Sequence, residues 1–465
     1  MHKSDAVAVN SCVRMSGVAA PAEQRSSGCG DTNSRARPAT AAAQSSAAQI
    51  SKESLKLINI LRQTAKAENL LSDIYDEPFN LLRWLHAFNG DLADATRALL
   101  RHLRMRRLLD LDNVTLDQHE DDPVASKYFP LGLVGSTGRD NRFLVIEAAG
   151  RVDLHGLVQS VVGSEFVLHR IKFQERLQRK MNEQERLSHR QSSVVYVLDL
   201  AGLELDPSLV SIVAGPYRIL WQNVYANYPE WISNLLVINA PAFMQLIWKA
   251  LQLYIPENTA LKLQIFAGPD TWKPELLRHV HPDFLPVHWG GRLRDANGDA
   301  MCRSRICIPS EAVPKALYWR PNDETPAHRA LPSVVVRAGE SVVVSLVVTE
   351  HVTRMLINRY SDRTYTMCIW YSGDCTQDAN TVEPGRDVIE WHPTIEFPGL
   401  TSTDLIRANA PGAGIYHVAF GNEHSWLRKL TVYYRIRFVT ECARIVTPKA
   451  VENASYTAKL QAVRS

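Results

Sequence analysis

Residues 228–268 read YPEWISNLLVINAPAFMQLIWKALQLYIPENTALKLQIFAG. Within them Leu235–Ile238 is a short, wholly apolar run with two β-branched residues, closed by Asn239-Ala240-Pro241. That is the pattern of a strand buried on both faces. Pro241 then suits the first turn of a helix. Phe243, Met244, Leu246, Ile247, Trp248, Ala250, Leu251, Leu253 and Tyr254 leave this helix almost no polar face, since only Gln245, Lys249 and Gln252 interrupt it. A helix apolar nearly all round must be covered by protein, by membrane or by an apolar ligand. A core helix and a cover over an apolar cavity both satisfy that requirement.

Around this stretch strands alternate with helices. Arg142–Glu147, Ser193–Leu198, Leu235–Ile238 and Leu261–Phe266 are strand candidates, and helical patterns cover Ser164–Arg190 and Pro207–Asn227. The alternation over residues 125–295 predicts an α/β layer with a mostly parallel sheet. Upstream, residues 51–124 are helical in pattern. Leu55, Leu57, Ile58 and Leu61 mark one segment; Leu81, Leu82, Trp84, Leu85 and Phe88 mark a second behind Pro78; Ala95, Leu99, Leu103 and Leu108 mark a third. Arg101, Arg104, Arg106 and Arg107 surround the third and read as a solvated face rather than a phosphate site. Residues 1–50, rich in Ala and Ser, have too little apolar surface to offset the entropy of ordering and are expected to be disordered. Arg14, Arg25, Arg35 and Arg37 would also suit a targeting peptide, against which Asp5, Glu23 and Asp31 count.

Downstream, residues 296–332 are rich in Pro and polar residues and read as a linker with little structure of its own. From 333 to 440 the period changes to two. Val342, Val344, Leu346 and Val348 alternate with Ser341, Val343, Ser345 and Val347, and similar runs span Ile415–Phe420 and Lys429–Phe438. Glycines punctuate these runs, so an all-β antiparallel sandwich is predicted, followed by a flexible tail over 441–465.

A chain of 465 residues exceeds one ordinary core. Its hydrophobic content of 45% and charged content of 22% are those of a globular protein, and a net charge of +3 offers no electrostatic footprint for nucleic acid. No apolar run reaches the roughly 18 residues of a membrane span. Seven cysteines, odd in number and scattered, suit free thiols in a reducing compartment, and a cytoplasmic location is expected. Catalytic signatures are missing. Gly135-Ser136-Thr137-Gly138 reads as a turn, His279, His281 and His288 as loop histidines, and Cys302-x4-Cys307 has no second pair to hold zinc. No catalytic and no metal-binding residues are assigned, and the chain is not read as an enzyme.

Tyr228-Pro229-Glu230, Val237-Ile238-Asn239-Ala240-Pro241, Lys262 ahead of a strand, and Pro286-Val287-His288-Trp289-Gly290-Gly291 fall in order and at suitable spacing. Gly150-Arg151-Val152-Asp153 and Asp199-Leu200-Ala201-Gly202-Leu203 follow the first two strands. Together they resemble the CRAL-TRIO (Sec-fourteen-like) lipid-transfer family over about Ser51–Asp295, with a helical N-terminal lobe before the lipid-binding domain. The resemblance implies a hydrophobic cavity closed by a gate helix, with Phe243, Met244, Leu246, Ile247, Trp248, Leu251 and Tyr254 as gate and cavity residues. Enclosing an acyl chain gains about 0.8 kcal/mol per methylene, so binding needs no covalent chemistry and no cofactor beyond the lipid.

Glu230, Thr259 and Lys262 match head-group-associated positions of phosphatidylinositol-transfer members, although an ordinary helix-end ion pair is an equal reading of Glu230 and Lys262. An Arg-Lys pair of those members is replaced here by Phe88 and Asn89, which removes charge-assisted bonds of ~1.5–3 kcal/mol each. A tocopherol-, retinoid- or sterol-precursor-like lipid, or another phospholipid, therefore gains over phosphatidylinositol. VRAGESVVVSLVV (336–348) and GIYHVAFGNEHSWLRKLTVYYRIRFV (414–439) are similar to a GOLD domain. That likeness implies docking on a transient membrane surface or a protein partner, peripheral on Golgi or other endomembranes. Two functions follow: a lipid carrier with a docking module, or a lipid-sensing adaptor in vesicle traffic or signalling whose output is a protein contact.

Overall fold

The computed structural model describes residues 50–114, 122–204, 215, 217–244, 260–373, 388–423 and 425–451. Three helices open it: α1 (Lys52–Ala67), α2 (Pro78–Ala87) and α3 (Leu92–Leu108). Ser51 and Asp91 cap α1 and α3 by accepting from backbone N–H groups of the first turn. Ile58, Leu61, Leu81, Trp84, Leu99 and Leu103 fill the small core between them.

The α/β domain follows. Its strands β1 (Leu131–Ser136), β2 (Arg142–Glu147), β3 (Ser193–Asp199), β4 (Ile232–Ile238) and β5 (Leu263–Ile265) lie side by side in chain order. β1 and β2 are an antiparallel hairpin turned by Asp140 and Asn141, both at positive φ; every later pair is parallel. Helix α4 (Pro123–Tyr128) precedes β1; the crossovers carry α5 (Leu154–Ser160), α6 (Gly163–Ser188) and α7 (Arg218–Asn227), and α8 (Pro269–His279) follows β5. Alternation sorts the strands' side chains. Phe143, Val145, Val194, Tyr196 and Leu235 face α6 and α7, while Leu144, Ile146, Val195, Val197, Leu236 and Ile238 face Trp272 and Leu276 of α8. Covered on both sides, these strands read as largely apolar runs, which is why β2 to β4 were legible. β1 was not expected. Its LGLVGS carries two glycines, and Gly132 packs so close to Arg305 that a Cβ there would stand 2.3 Å from the Arg305 carbonyl oxygen.

The signature turns latch this sheet together. Asp199 accepts from Asn239 Nδ2 at 2.7 Å and from Trp289 Nε1 at 2.9 Å, and Asn239 Oδ1 accepts from Trp272 Nε1 at 2.9 Å. Gly291 lies against the Leu285 carbonyl, where a Cβ would be 1.9 Å from oxygen.

Residues 296–332, read as a linker, hold only short turns of helix but are not free of the domain. Met301, Cys302 and Ile306 are buried, Ile306 bridges to Gly132, and Val313 joins the core beneath α5 and α6.

The C-terminal domain is two facing antiparallel sheets around one core. One runs β10 (Ile389–Phe397), β9 (Tyr365–Ser372), β12 (Gly414–Gly421), β7 (Ser341–Val348), β15 (Lys449–Val451); the other runs β11 (Asp404–Asn409), β8 (Arg354–Tyr360), β13 (Leu430–Val439), β14 (Ile445–Val446), with β6 (Ser333–Val336) also on β13. The expected tail from 441 is corrected here. β14 and β15 close an edge of each sheet, and as runs of two and three residues around Pro448 they carry no readable period.

The arginine face of α3 is also corrected. Arg106 is buried against Glu175 of α6 at 2.6 Å, Arg101 donates to the Thr394 carbonyl at 2.9 Å, Arg104 approaches Glu390 at 3.6 Å, and the Arg107 guanidinium lies 4.1 Å from the Trp391 ring centre. These arginines pack on α6 and on the β domain rather than facing water, and Leu108 enters the sandwich core. Arginine serves here because its flat guanidinium stacks on an aromatic ring and donates in several directions at once.

Candidate functional site

The face of the sheet toward α6 and α7 is the candidate site. Phe143, Val145, Tyr196 and Leu235 are buried on it, and Leu198 and Leu263 are half-buried. At the β5 edge Ile265 is 38% exposed. Phe166, Val167, Phe173 and Leu177 of α6 and Trp221 and Tyr225 of α7 form the facing wall. The chain leaves β4 through Asn239, in a left-handed conformation with φ 54°, and turns at Pro241, whose carbonyl accepts from Met244 N–H at 2.9 Å. Met244 packs against Leu200, Val237 and Ala240, and Phe243 is half-buried beside it. These are the two gate candidates the structure places. Leu246, Ile247, Trp248, Leu251 and Tyr254 lie outside the described residues, as does Thr259.

Glu230 and Lys262 are brought together, Nζ to Oε2 at 2.6 Å, each about a quarter exposed. Glu230 sits at the turn before β4 with φ 53° and Lys262 just before β5, so parallel pairing of the two strands sets their meeting. Glu230 also borders a cleft of ≈ 390 Å³ lined by Leu57, Leu82, Leu85, His86 and Asn89. Burial lowers the pKa of His86, opposed by the nearby Glu230 carboxylate. Asn89 therefore shares a cleft with Glu230 and carries no charge.

Sequence reasoning missed a polar cluster inside the apolar wall. Glu147, at the end of β2, accepts from the Tyr217 hydroxyl at 2.7 Å and also from the Tyr196 hydroxyl. Burial, reinforced by that carboxylate, raises both phenol pKa values far above the ordinary range, which keeps both as donors. Arg170 of α6 reaches Tyr196 Oη at 3.4 Å. One turn later on the same face is Gln174, fully buried. The signal was present: Phe166, Arg170, Phe173, Gln174 and Leu177 share one helical stripe, so a charged and an amide side chain interrupt an otherwise apolar face. Among the described residues no group of His, Cys, Asp and Glu is arranged to hold a metal, and no helix is long and apolar enough to cross a membrane.

Comparison with known proteins agrees with this architecture. Residues 127–291 match the family described as CRAL/TRIO domain, and residues 317–445 match one described as F28H7_8_C:-like, C-terminal domain. CRAL-TRIO domain-containing protein F28H7.8 of Caenorhabditis elegans is 30% identical over 377 residues, 80% of this chain and 87% of the relative. Protein ctg-1 of Caenorhabditis elegans is 23% identical over 359 residues, covering 77% and 90%. Protein real-time of Anopheles gambiae is 30% identical over 214 residues, 45% of this chain and 31% of its own length. Among solved structures, Sfh5 aligns over 54% of this chain and 90% of its own, with a TM-score of 0.42 and 13% identity. The chain thus belongs to the family of CRAL-TRIO domain-containing proteins.

Proposed function

We propose that this protein is a lipid-binding and transfer protein that encloses one hydrophobic ligand, a phospholipid or a neutral tocopherol-like lipid, between the sheet and helices α6 and α7. The observation that carries this reading is the apolar wall from Phe143 and Val145 to the half-exposed edge at Ile265, with the Phe243–Met244 turn beside it. The segment over 242–254 acts as the gate, closed in water and open at a membrane. Binding rather than catalysis is the activity, and the bound lipid is the one ligand required.

The β domain, GOLD-like in its sequence, provides docking. Trp426 and Leu427 are each 93% exposed on the loop before β13, next to exposed Arg428 and Lys429. The loop is held in place rather than trailing, since Asn422 Nδ2 and Ser425 Oγ both donate to the Arg428 carbonyl at 2.9 Å. Two apolar side chains backed by two cations suit the surface of an anionic bilayer. On this reading the protein is cytoplasmic and peripheral on Golgi or other endomembranes.

The adaptor reading has one specific support. The β domain is tied through part-buried polar contacts to α3 and to the N-terminus of α6, a wall of the site, so occupancy could reach a protein-binding surface on the sandwich.

The test is transfer of a fluorescent lipid between vesicles by the full chain and by Phe243→Asp. Transfer by the parent and its loss in the variant are expected; transfer by neither would leave the adaptor reading, and equal transfer by both would remove the gate.

A further inference from the structure

The wall between α6 and the sheet holds buried hydrogen-bonding groups that have no partner among the described residues. Arg170, 2% exposed, has its Nη1 buried without a hydrogen-bond partner. Its guanidinium carbon lies 5.1 to 6.0 Å from the ring centres of Phe173, Trp221, Tyr196 and Trp231. Gln174, with no exposed surface, leaves both its amide nitrogen and its amide oxygen unpartnered, and Trp231 Nε1 is buried in the same way. These groups converge, because Gln174 is one turn from Arg170 on one helix face and Trp231 packs on both Arg170 and Tyr196. Buried polar groups are ordinarily satisfied, so four such atoms in one neighbourhood point to an occupant.

We propose that Arg170, Gln174 and Trp231 form a polar subsite for an uncharged oxygen function of the enclosed ligand, an ester carbonyl or a hydroxyl, set deep in the wall; this rests on the lipid-carrier reading. A pure hydrocarbon would leave all of these donors unmet. A carboxylate or phosphate would meet them but add a second negative charge. The Arg170 cation and the Glu147 carboxylate already meet on one hydroxyl, that of Tyr196, so a further anion in these apolar surroundings would stand uncompensated. An uncharged oxygen accepts from Arg170 Nη1, Trp231 Nε1 and the Gln174 amide without that cost. Gln174 Oε1 would in addition accept from a hydroxyl, which separates the two candidate groups.

The test uses the delipidated full chain incubated with four sixteen-carbon probes, methyl palmitate, 1-hexadecanol, palmitate and hexadecane, with retention read by native mass spectrometry at neutral pH. Methyl palmitate or hexadecanol is expected to be retained about tenfold or more over hexadecane and over palmitate, the scale of one satisfied buried hydrogen bond. Gln174→Leu and Trp231→Phe, checked for unchanged melting, should each bring the oxygenated probes toward hexadecane while leaving hexadecane unaffected. A larger loss of hexadecanol than of methyl palmitate in Gln174→Leu would identify the hydroxyl. Equal retention of hexadecane and the oxygenated probes, preferential retention of palmitate, or variants that keep the full preference would overturn the subsite while leaving the carrier intact. Retention of none of the four would contradict the carrier reading and the subsite with it.

Discussion

The Asp404 carboxylate of the β domain caps helix α6 of the lipid domain through Ser164: Oδ1 accepts from the Ser164 N–H at 2.8 Å and from its hydroxyl at 2.6 Å. The residue preceding α6, Val162, supplies no side-chain cap of its own. The other oxygen, Oδ2, accepts from Arg359 Nε at 3.0 Å and Nη2 at 2.6 Å, and both side chains are buried. One carboxylate therefore serves a helix N-terminus on one side and a buried guanidinium on the other. Asp404→Ala strands Arg359 without its partner, so a loss of about 3–5 kcal/mol in unfolding free energy is expected. Denaturant titration of the variant checks this. A change below about 1 kcal/mol would mean that the junction does not couple the domains.

Stability should fall with acid in a defined window. Burial lowers the pKa of both His392 and His417 to about 4. For His392 the hydrogen bond to the Pro393 carbonyl opposes that effect, while Arg359 and Arg101 add to it; His417 faces Ser345 Oγ at 2.9 Å on β7 and pairs with Trp370 on β9. Their unfolded values lie near 6.5, so between about 6.5 and 4 the unfolded chain binds more protons than the folded one. The stabilisation is complete above pH ~6.5 and is lost as pH falls toward 4, on the order of 2 kcal/mol per histidine by pH 5. Urea unfolding at pH 7.5 and pH 5 measures the loss, and His417→Gln should lose roughly that much less. An equal loss in parent and variant would contradict the assignment.

The Glu230–Lys262 pair is partly exposed, so screening limits it to about 1 kcal/mol at most. The double change Glu230→Gln, Lys262→Met is expected to leave melting nearly unchanged. Neutral-lipid loading should stay within about threefold, because a ligand without a charged head group has no ionic partner to lose in this pair. A tenfold fall in phosphatidylinositol loading, measured beside an unaffected neutral lipid, would instead restore the head-group role.

Trp426 and Leu427 should carry membrane attachment. Burying two such side chains is worth ~1.5–3 kcal/mol each. Changing both to Asp is predicted to reduce sedimentation with anionic vesicles about tenfold or more, and raised salt should weaken the parent's binding through Arg428 and Lys429. Parent-like sedimentation of the variant would move attachment elsewhere on the molecule.

Much of this architecture was legible because its signals are local. β2, β3 and β4 announce themselves as apolar runs, α6 as a long periodic stretch, and β7, β12 and β13 by alternation. What escaped depends on partners far along the chain. The use of Arg101, Arg104 and Arg107 is set by Thr394, Glu390 and Trp391, nearly 300 residues away, and no helical period can report that. β14 and β15 are strands only because β13 and β7 offer open edges. At the candidate site the pairing of Glu230 with Lys262 follows from strand order, whereas the meeting of Glu147, Arg170 and Tyr217 requires three elements to pack first.

The most direct measurement is native mass spectrometry with lipid extraction on the full chain, purified from cells and then incubated with mixed liposomes. One lipid per chain, retained through purification and exchangeable with liposome lipid, is the predicted result. A chain that remains empty, or that carries lipids at random in proportion to their abundance, would contradict an enclosed ligand.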